Sequence, residues 1–338
     1  MIEIPGAPQI DGLKFRQYKG DSDYSLMSSI GSRSFEADKV DYFETAEDLA
    51  NDYENSPNRD PCSEVVIAEV KGEPIAYGRI WTDPGIGGES VYWHVAHALP
   101  EWRGTNLRLA LLRFNERQII SMAKLDGKMS PFVCKVWALD EPNEWREMIV
   151  AEGYRAVMFF FEMVRPNLDD IPDIPFPPGL ELRSVKPEDH PKIWNASKEA
   201  FRGKPWFVEE HYDRKYYDSW KNSPSFQPNL WRVAWDGDEV AGMARNEVPI
   251  DQNRAFDRSR GHTQHLSVMP KWRRRGLGRA LLAESLRMMR EKGLKEASLD
   301  VETQSTTGEL QLYESMGYKI HRKFAHYAKE LDPRGRSR

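Results

Sequence analysis

The sequence predicts an α/β fold in two tandem copies, each a mixed and mostly antiparallel sheet flanked by helices. The first observation behind this prediction is an internal repeat, because AHALPEWRGTNLRLALL around residue 100 recurs as LSVMPKWRRRGLGRALL around residue 270. Pro100 and Pro270 are 170 residues apart, and six further identities keep that spacing. The second observation is that strand-like and helix-like patterns follow in the same order in both halves, as expected of an α/β sheet.

Each copy opens with a short strand and two helical stretches, followed by a hairpin with a glycine turn. A strand that ends at the repeated proline, a long amphipathic helix, a strand, a helix and a final strand come next. The opening strands are predicted at Leu13–Tyr18 and Leu180–Val185, and the helical stretches after them at Asp23–Ala37 and Thr45–Tyr53 in the first copy and at Pro187–Phe201 and Phe207–Trp220 in the second. The hairpins are predicted at Val66–Gly78 and Arg232–Gly242, and the strands that end at the repeated proline at Glu89–Leu99 and Gly261–Met269. The later strands are predicted at Phe132–Leu139 and Glu296–Val301, and the later helices at Glu144–Glu152 and Gly308–Met316.

A proline-rich segment separates the two copies. Arg165–Gly179 carries five prolines, which exclude an internal helix or a central strand. We therefore expect one domain at residues 1–165, an extended linker at 166–179 and a second domain at 180–338. These sizes agree with a typical domain of about 150 residues.

Charge and composition exclude several classes of protein. The chain has 48 basic and 53 acidic side chains, a net charge of −5, whereas nucleic-acid binders are usually basic. The first residues lack a signal-peptide pattern, and no apolar run is long enough to span a bilayer. Cys62 and Cys134 are too few for a four-cysteine zinc site, so we expect small buried thiols and no metal. The expectation is a cytoplasmic protein without nucleic-acid or membrane partners.

The second copy carries the chemically informative segment, Val268–Leu282. It reads as a strand, a turn with Gly276 and Gly278, and the start of a long helix, with five basic side chains between Lys271 and Arg279. Glycines allow close approach of a ligand to the backbone, and the free N–H groups of a helix start favour a pyrophosphate. The segment lacks the Gly-Lys-Ser/Thr of a Walker loop and the glycine spacing of a dinucleotide fold.

This segment resembles motif A of the GNAT acetyltransferases, in which a strand ending Val-x-Pro precedes Arg/Gln-x-x-Gly-x-Gly/Ala. Leu312-Tyr-Glu-Ser-Met-Gly-Tyr318 is similar to a later motif of the same family, and the two-domain plan resembles that of mycothiol-synthase-like acetyltransferases. The resemblance implies that acetyl-CoA is the acyl donor and CoA the product, and that Tyr313 protonates the leaving thiolate. The residues it implies for binding the cofactor are Leu266, Val268, Arg273, Arg274, Arg275, Gly276, Leu277, Gly278 and Arg279.

A general base is needed to deprotonate an incoming amine, and the sequence leaves three candidates open. His262 stands on the strand before the motif, near the position of a carboxylate in the resembled family, and histidine titrates near neutrality. Glu247 and Glu302 are the alternatives. Because His265 is three positions from His262, strand alternation predicts that the two side chains point to opposite faces of the sheet.

The acceptor is expected over the first two helices of the second copy. Trp206 and Phe207 lie in a predicted loop and could form a wall of the substrate pocket with Glu247, although aromatic residues at helical spacing usually form a core. One departure from the family pattern is that Tyr313 follows Val301 by twelve positions and not eleven.

The first copy lacks the residues that carry this chemistry. Asn106 and Arg108 replace the two glycines, and Ile149 stands at the tyrosine position. A turn without glycine is less suited to hold a pyrophosphate, and isoleucine cannot donate a proton. The first copy is therefore predicted to keep the fold without catalysis, with His94 and His97 as structural or substrate-contacting residues.

The sequence favours an N-acetyltransferase that is active in its second domain on a primary amine of a small molecule or peptide. An acyltransferase using another acyl-CoA, or a CoA-binding sensor or scaffold without turnover, remains open at this stage. Joining two copies in one chain favours a monomer.

Overall fold

The chain folds into two compact units that are discontinuous in sequence. The computed structural model describes residues 2–56, 59–86, 88–204, 206–303 and 308–334. The first unit comprises Met1–Met158 and Phe324–Arg338, and the second comprises Phe159–Lys323. Within the described ranges, no helix combines the length and apolar character that a membrane crossing requires.

The first unit is a mixed sheet with helices packed on it. Its sheet has the order β1-β2-β3-β4-β5-β12, in which β4 and β5 are parallel and the other pairs for which the register is defined are antiparallel. Its elements are β1 (Leu13–Gln17), α1 (Ser22–Ala37), α2 (Ala46–Asn55), α3 (Pro61–Glu64), β2 (Val65–Val70), β3 (Glu73–Pro84), β4 (Ser90–Ala98), α4 (Leu107–Leu125), β5 (Phe132–Leu139), α5 (Glu144–Ala151), the beginning of β6 (Arg155–Arg165) and the end of β12 (Lys319–Leu331).

The second unit repeats this plan. Its sheet has the order β6-β11-β10-β9-β8-β7, with β10 and β11 parallel. Its further elements are β7 (Glu181–Arg183), α6 (His190–Phe201), α7 (Arg214–Asn222), β8 (Arg232–Asp236), β9 (Glu239–Glu247), α8 (Ile250–Ala255), β10 (Arg260–Val268), α9 (Leu277–Glu291), β11 (Glu296–Glu302) and α10 (Glu309–Ser315). The predicted fold class is confirmed.

The unit boundaries differ from the predicted domains 1–165 and 180–338, because the final strands are exchanged. Phe324–Leu331 pairs with β5 in the first unit, and Phe160–Arg165 pairs with β11 in the second. A strand pattern defines which residues are extended but not which distant strand they pair with. The exchange was therefore not visible in the sequence.

The proline-rich segment is irregular, as predicted, but it is not a free spacer. Leu168 is 3% exposed, and Ile171 and Ile174 pack against the same cluster of core residues in the second unit. Phe176 packs against a second cluster, beside α9. Burial of these apolar side chains stabilises the packed position of the segment, because their surface is removed from water.

The helices depart from the predicted ranges in three places, one of which is the short helix α3, which was not predicted. α7 begins at Arg214 and not Phe207, because Asp213 caps it by accepting a hydrogen bond from the backbone N–H of Tyr216. α8 was not predicted. Cys134 is buried as expected, whereas Cys62 is exposed at the start of α3.

The parallel strands of the second unit separate where the chemistry is expected. β10 pairs with β11 only over Arg260–Thr263, but it pairs with β9 as far as Val268. The edge of β10 beyond Thr263 is therefore open toward β11. α9, the predicted amphipathic helix, packs behind these strands through Leu277, Leu281, Ser285 and Met288, which share one face at helical spacing and are all at most 3% exposed.

Candidate active site

The loop before α9 forms a concave backbone surface. Gly276 has φ 84° and precedes the first helical residue, and Arg274 has φ 60°. Two left-handed residues at alternate positions direct successive N–H groups into one concavity. The first N–H groups of a helix lack intrahelical acceptors and lie at its positive end, so this loop can bind an anion such as a pyrophosphate.

Gly278 places no side chain in the space next to this loop, which we call the slot. A methyl group built on Gly278 would meet only Leu312 Cδ1 and Val268 Cγ2, both at 3.7 Å, which is ordinary contact distance. The slot therefore lies between the start of α9, the end of β10 and α10. Leu266 and Val268, two of the residues predicted to bind the cofactor, are on the open part of β10 and pack on the α9 side.

The arginines of the loop do not all act alike. Arg273 is bound by the protein itself, since its Nε donates to the Val268 carbonyl at 3.0 Å and its Nη2 to the Ala200 carbonyl at 2.8 Å. Arg273 thus connects the end of β10 to α6, and a cofactor contact of this residue stays a prediction. Arg274, Arg275 and Arg279 have exposed side chains next to the concave loop.

His262 and His265 lie on the same face of the sheet, so the prediction of opposite faces is wrong. The reason is a β-bulge at Gln264: His262 pairs with Glu247 of β9, and His265 pairs with Arg245, two residues away. One extra residue in a strand reverses the alternation beyond it. This face is the one covered by α6, because the His265 ring contacts the Phe201 ring at 5.4 Å between centroids.

His262 is held in its neutral form. Burial lowers its pKa, the neighbouring carboxylates of Glu247 and Glu162 oppose this shift, and nearby arginines add to it. Nδ1 of His262 lies 3.0 Å from Ser298 Oγ, and Nε2 makes no hydrogen bond to any residue that the structure describes. A neutral imidazole with one free nitrogen can accept a proton.

The other predicted acceptor residues surround this face. The Trp206 ring packs at 5.1 Å from Phe201. Burial and Glu309 raise the pKa of Glu302, whereas Lys204 and Trp206 oppose this shift. Phe207 instead stacks on Tyr212 at 5.5 Å. Trp206 therefore lies near His265, whereas Phe207 belongs to the aromatic cluster beneath α7.

Tyr313 lies in α10 at the edge of the core. It is 7% exposed, and its ring contacts that of Tyr318 at 6.2 Å. Burial, and secondarily Glu309, raise its pKa, so the hydroxyl stays protonated at neutral pH. Its hydroxyl makes no hydrogen bond within the described ranges. Residues 304–307, which hold the extra position before Tyr313, lie outside those ranges.

The equivalent slot of the first unit is filled by Arg108, the counterpart of Gly278. Arg108 is 3% exposed; its Nε donates to the Ala96 carbonyl at 2.8 Å, and its Nη1 lies 2.9 Å from Asp38. Its guanidinium also stacks over the Trp145 ring at 4.5 Å. Ala96 corresponds to Leu266, so the arginine lies where the second unit has its open edge.

The turn of the first unit, by contrast, keeps its shape. Gly104 has φ 76° and Asn106 has φ 64°, matching Arg274 and Gly276. The expectation that the missing glycine weakens this turn is therefore not met in the backbone, since asparagine tolerates the left-handed region. The difference between the units lies in the side chain at Arg108.

Sequence reasoning missed Arg245. This residue is 5% exposed on β9 and faces α7, with its guanidinium over the Trp220 ring at 5.4 Å. The signal was present, because Arg245 stands at an inward position of the apolar hairpin strand Glu239–Glu247. Charged residues are rarely buried at such positions unless they are paired with another group.

Comparisons with known proteins agree with this geometry. The sequence pattern described as acetyltransferase (GNAT) family matches residues 191–318. A mycothiol acetyltransferase of Geodermatophilus obscurus is 28% identical over 196 residues, which are 55% of this chain and 60% of that protein. The corresponding enzyme of Acidothermus cellulolyticus is 26% identical over 235 residues, 65% of this chain and 66% of that protein. The alignments thus span about three fifths to two thirds of these relatives.

Two solved structures share the fold across almost the whole chain. A GCN5-related N-acetyltransferase from Sphaerobacter thermophilus has a TM-score of 0.70 and 22% identity, covering 96% of this chain and 97% of that one. A tandem GNAT protein from the clavulanic acid biosynthesis pathway has a TM-score of 0.66 and 11% identity, covering 96% and 100%. Residues 191–318 therefore match the acetyltransferase (GNAT) family, and the chain as a whole has the fold of a tandem GNAT protein.

Proposed function

We propose that the second unit transfers the acetyl group of acetyl-CoA to a primary amine of a small molecule or peptide, and that the first unit has no transfer activity of its own. The observation that carries the proposal is the contrast at one position. Gly278 places no side chain in the slot beside the loop, whereas the side chain of its counterpart Arg108 fills the corresponding space in the first unit. The similarity to mycothiol acetyltransferases supports acetyl as the group transferred.

The residues around the slot fit acetyl-CoA. The backbone of Arg274–Arg279 would hold the pyrophosphate, with Arg274, Arg275 and Arg279 adding positive charge. The open edge of β10 near Leu266 and Val268 would pair with the amide groups of the pantetheine arm, as an added strand does. Acetyl-CoA supplies the thioester that is cleaved.

The reaction needs one proton acceptor and one proton donor. His262 takes a proton from the ammonium group, and the free amine attacks the thioester carbonyl, whose oxygen a strand N–H near Val268 stabilises. A C–N bond forms and the C–S bond breaks. Tyr313 donates its proton to the leaving thiolate, a role that fits its protonated state at neutral pH. The second proton, which the nitrogen loses as the amide forms, restores the tyrosine hydroxyl directly or through water. Glu247 and Glu302 are the alternative bases.

The test uses the full chain with acetyl-CoA and a panel of primary amines, with thiol release as the measure of turnover and calorimetry as the measure of binding. We expect turnover with at least one amine, and one CoA site per chain. Gly276→Glu should abolish CoA binding by placing a carboxylate in the anion site. A propionyl-CoA arm tests the alternative of a longer donor.

Tyr313→Phe and Tyr318→Phe form a matched pair, because both rings are buried and neighbouring. We expect only the first variant to lose turnover, with CoA affinity preserved in both. CoA binding without turnover of any amine would favour a CoA-sensing module, and absence of CoA binding would overturn the proposal. Two CoA molecules per chain would contradict the inactive role of the first unit.

A further inference from the structure

Arg245 in the second unit is a buried positive charge that has no negative partner among the residues that the structure describes. Arg245 is 5% exposed, and its Nε is buried without a hydrogen-bond acceptor. Among the described residues, no carboxylate lies within ion-pair distance of its guanidinium. The guanidinium instead lies over the face of the Trp220 ring. Burying an unpaired charge is strongly unfavourable, so such a group calls for a partner outside the chain.

The groups around Arg245 do not neutralise it. The titratable groups that face it are His265, its cross-strand pair, Tyr212 below α7, and Glu247, which acts only at longer range. Burial lowers the pKa of His265 well below its usual range, so that ring is neutral. Burial also lowers the pKa of Arg245 itself, to about 10, which still leaves it protonated at neutral pH.

The first unit shows what this position looks like when the chain supplies the partner. Arg79 on β3 corresponds to Arg245, because it pairs with Val95, the counterpart of His265. Arg79 donates to both oxygens of Glu44, at 3.0 and 3.1 Å, and also to Asp52. The inward-facing arginine is thus paired with two carboxylates in the first unit, whereas in the second unit it has no carboxylate partner among the described residues.

We propose that the acceptor amine of the second unit carries a carboxylate group, which pairs with Arg245. This inference rests on the proposed acetyl transfer and specifies its acceptor. A guanidinium binds a planar carboxylate through two parallel hydrogen bonds. One arginine, with Glu247 nearby, balances a single negative charge better than the double charge of a phosphate.

The spacing of the site restricts the acceptor further. Arg245 and Glu247 are two residues apart on β9, a distance of roughly 7 Å along a strand, and Glu247 pairs with His262. The carboxylate and the amine therefore bind on the same face, separated by a short chain. The chemical class is an amino acid in which a few carbon atoms connect the two groups.

The first experiment compares acids with their amides. Glycine, β-alanine and 4-aminobutyrate are each assayed with acetyl-CoA beside the corresponding carboxamide, on the wild-type chain and on Arg245→Gln. We expect kcat/KM to favour at least one acid over its amide by about 10- to 100-fold, and Arg245→Gln to bring the ratio of the two kcat/KM values close to one. Arg245→Lys should restore it only in part, because lysine lacks the forked donor.

Arg232→Gln is the matched control. Arg232 lies in the same hairpin and is partly buried, but it pairs with Ala244 on the opposite face and donates to the Trp231 carbonyl. We expect this variant to keep the acid preference. 2-Aminoethyl phosphate serves as a phosphate arm, and its selection over all three acids would overturn the carboxylate assignment.

The second experiment needs no turnover. Arg245→Met keeps the approximate side-chain volume and removes the unpaired charge, so we expect its Tm to equal or exceed that of the wild type, whereas loss of a structural arginine would lower it. Propionate should raise the Tm of the wild type relative to chloride at equal ionic strength, and should not do so in Arg245→Met.

The outcomes separate the two proposals. Acetylation without acid preference, together with no propionate effect, would overturn the carboxylate site and leave the acetyltransferase function intact. Absence of acetyl-CoA binding would overturn the function, while the propionate effect would still report on Arg245 alone. A lowered Tm in Arg245→Met without a propionate effect would identify Arg245 as a structural residue and refute the inference.

Discussion

Asp38 offers a direct test of how the slot in the first unit is filled. Its carboxylate accepts hydrogen bonds from Arg108 and Arg103, each at 2.9 Å, and Asp38 and Arg108 are each 3% exposed. Asp38→Asn keeps the side-chain shape and removes the charge, which leaves Arg108 with Glu144 at 3.6 Å. Removing one member of a buried ion pair costs about 3–5 kcal/mol. Because Glu144 remains, we expect the lower end of that range, about 3 kcal/mol.

The double variant Asp38→Asn with Arg108→Leu removes both buried charges. Arg103 is partly exposed and keeps Glu144 at 3.1 Å, so it does not need Asp38. In the Arg108→Leu background, Asp38→Asn should therefore cost less than about 1 kcal/mol, a coupling of about 2 kcal/mol. Urea unfolding followed by tryptophan fluorescence measures this, since Trp145 stacks on Arg108. Equal costs of Asp38→Asn in the two backgrounds would refute the reasoning.

Three further predictions concern both units. Gly278→Met should place a side chain in the slot and weaken CoA binding at least tenfold, measured by calorimetry, with little change in Tm. Gly278→Ala should keep most of the affinity, because its methyl group would meet other atoms only at 3.7 Å. Tyr313→Phe should lower kcat by about 100-fold or more in steady-state assays with KM for acetyl-CoA nearly unchanged; an unaltered kcat would exclude it as the acid. Burial, with Lys329 nearby, lowers the pKa of His94 to about 3, so the unfolded state binds more protons below pH 6.5. The free energy of unfolding should then fall by about 2 kcal/mol between pH 6.5 and 5 through this residue, and His94→Gln should remove that part of the loss in urea titrations.

The parts of the fold that depend on local sequence could be predicted. The turn at Gly276 and the buried face of α9 follow from glycine geometry and helical spacing, and both are confirmed. The exchange of final strands could not be predicted, because β6 and β12 carry the same extended pattern whichever strand they pair with. The bulge at Gln264 was also hidden, since strict alternation is the default assumption for any strand.

The site was predicted unevenly for a related reason. A pattern of residue types identifies a loop that can bind a pyrophosphate, but it does not show which charges lack partners. The contrast between Arg245 and Arg79 depends on whether Glu44 and Asp52 fold back onto the same strand position. Similarly, Arg108 reads in the sequence as a lost glycine, and only packing shows that its side chain fills the slot.

The strand exchange has a consequence for how the chain is made. The first unit pairs Phe132 of β5 with Leu331, so its sheet cannot be completed until the ribosome has synthesised Leu331, 199 residues after its partner. Until then the edge of β5 is exposed, and unpaired strand edges of nascent chains are prone to aggregation. Pairings between residues so distant in sequence also form slowly. The N-terminal part of this protein should therefore depend on chaperones for longer than a contiguous domain would, and removing the C-terminal strand should impair the folding of the unit that was synthesised first.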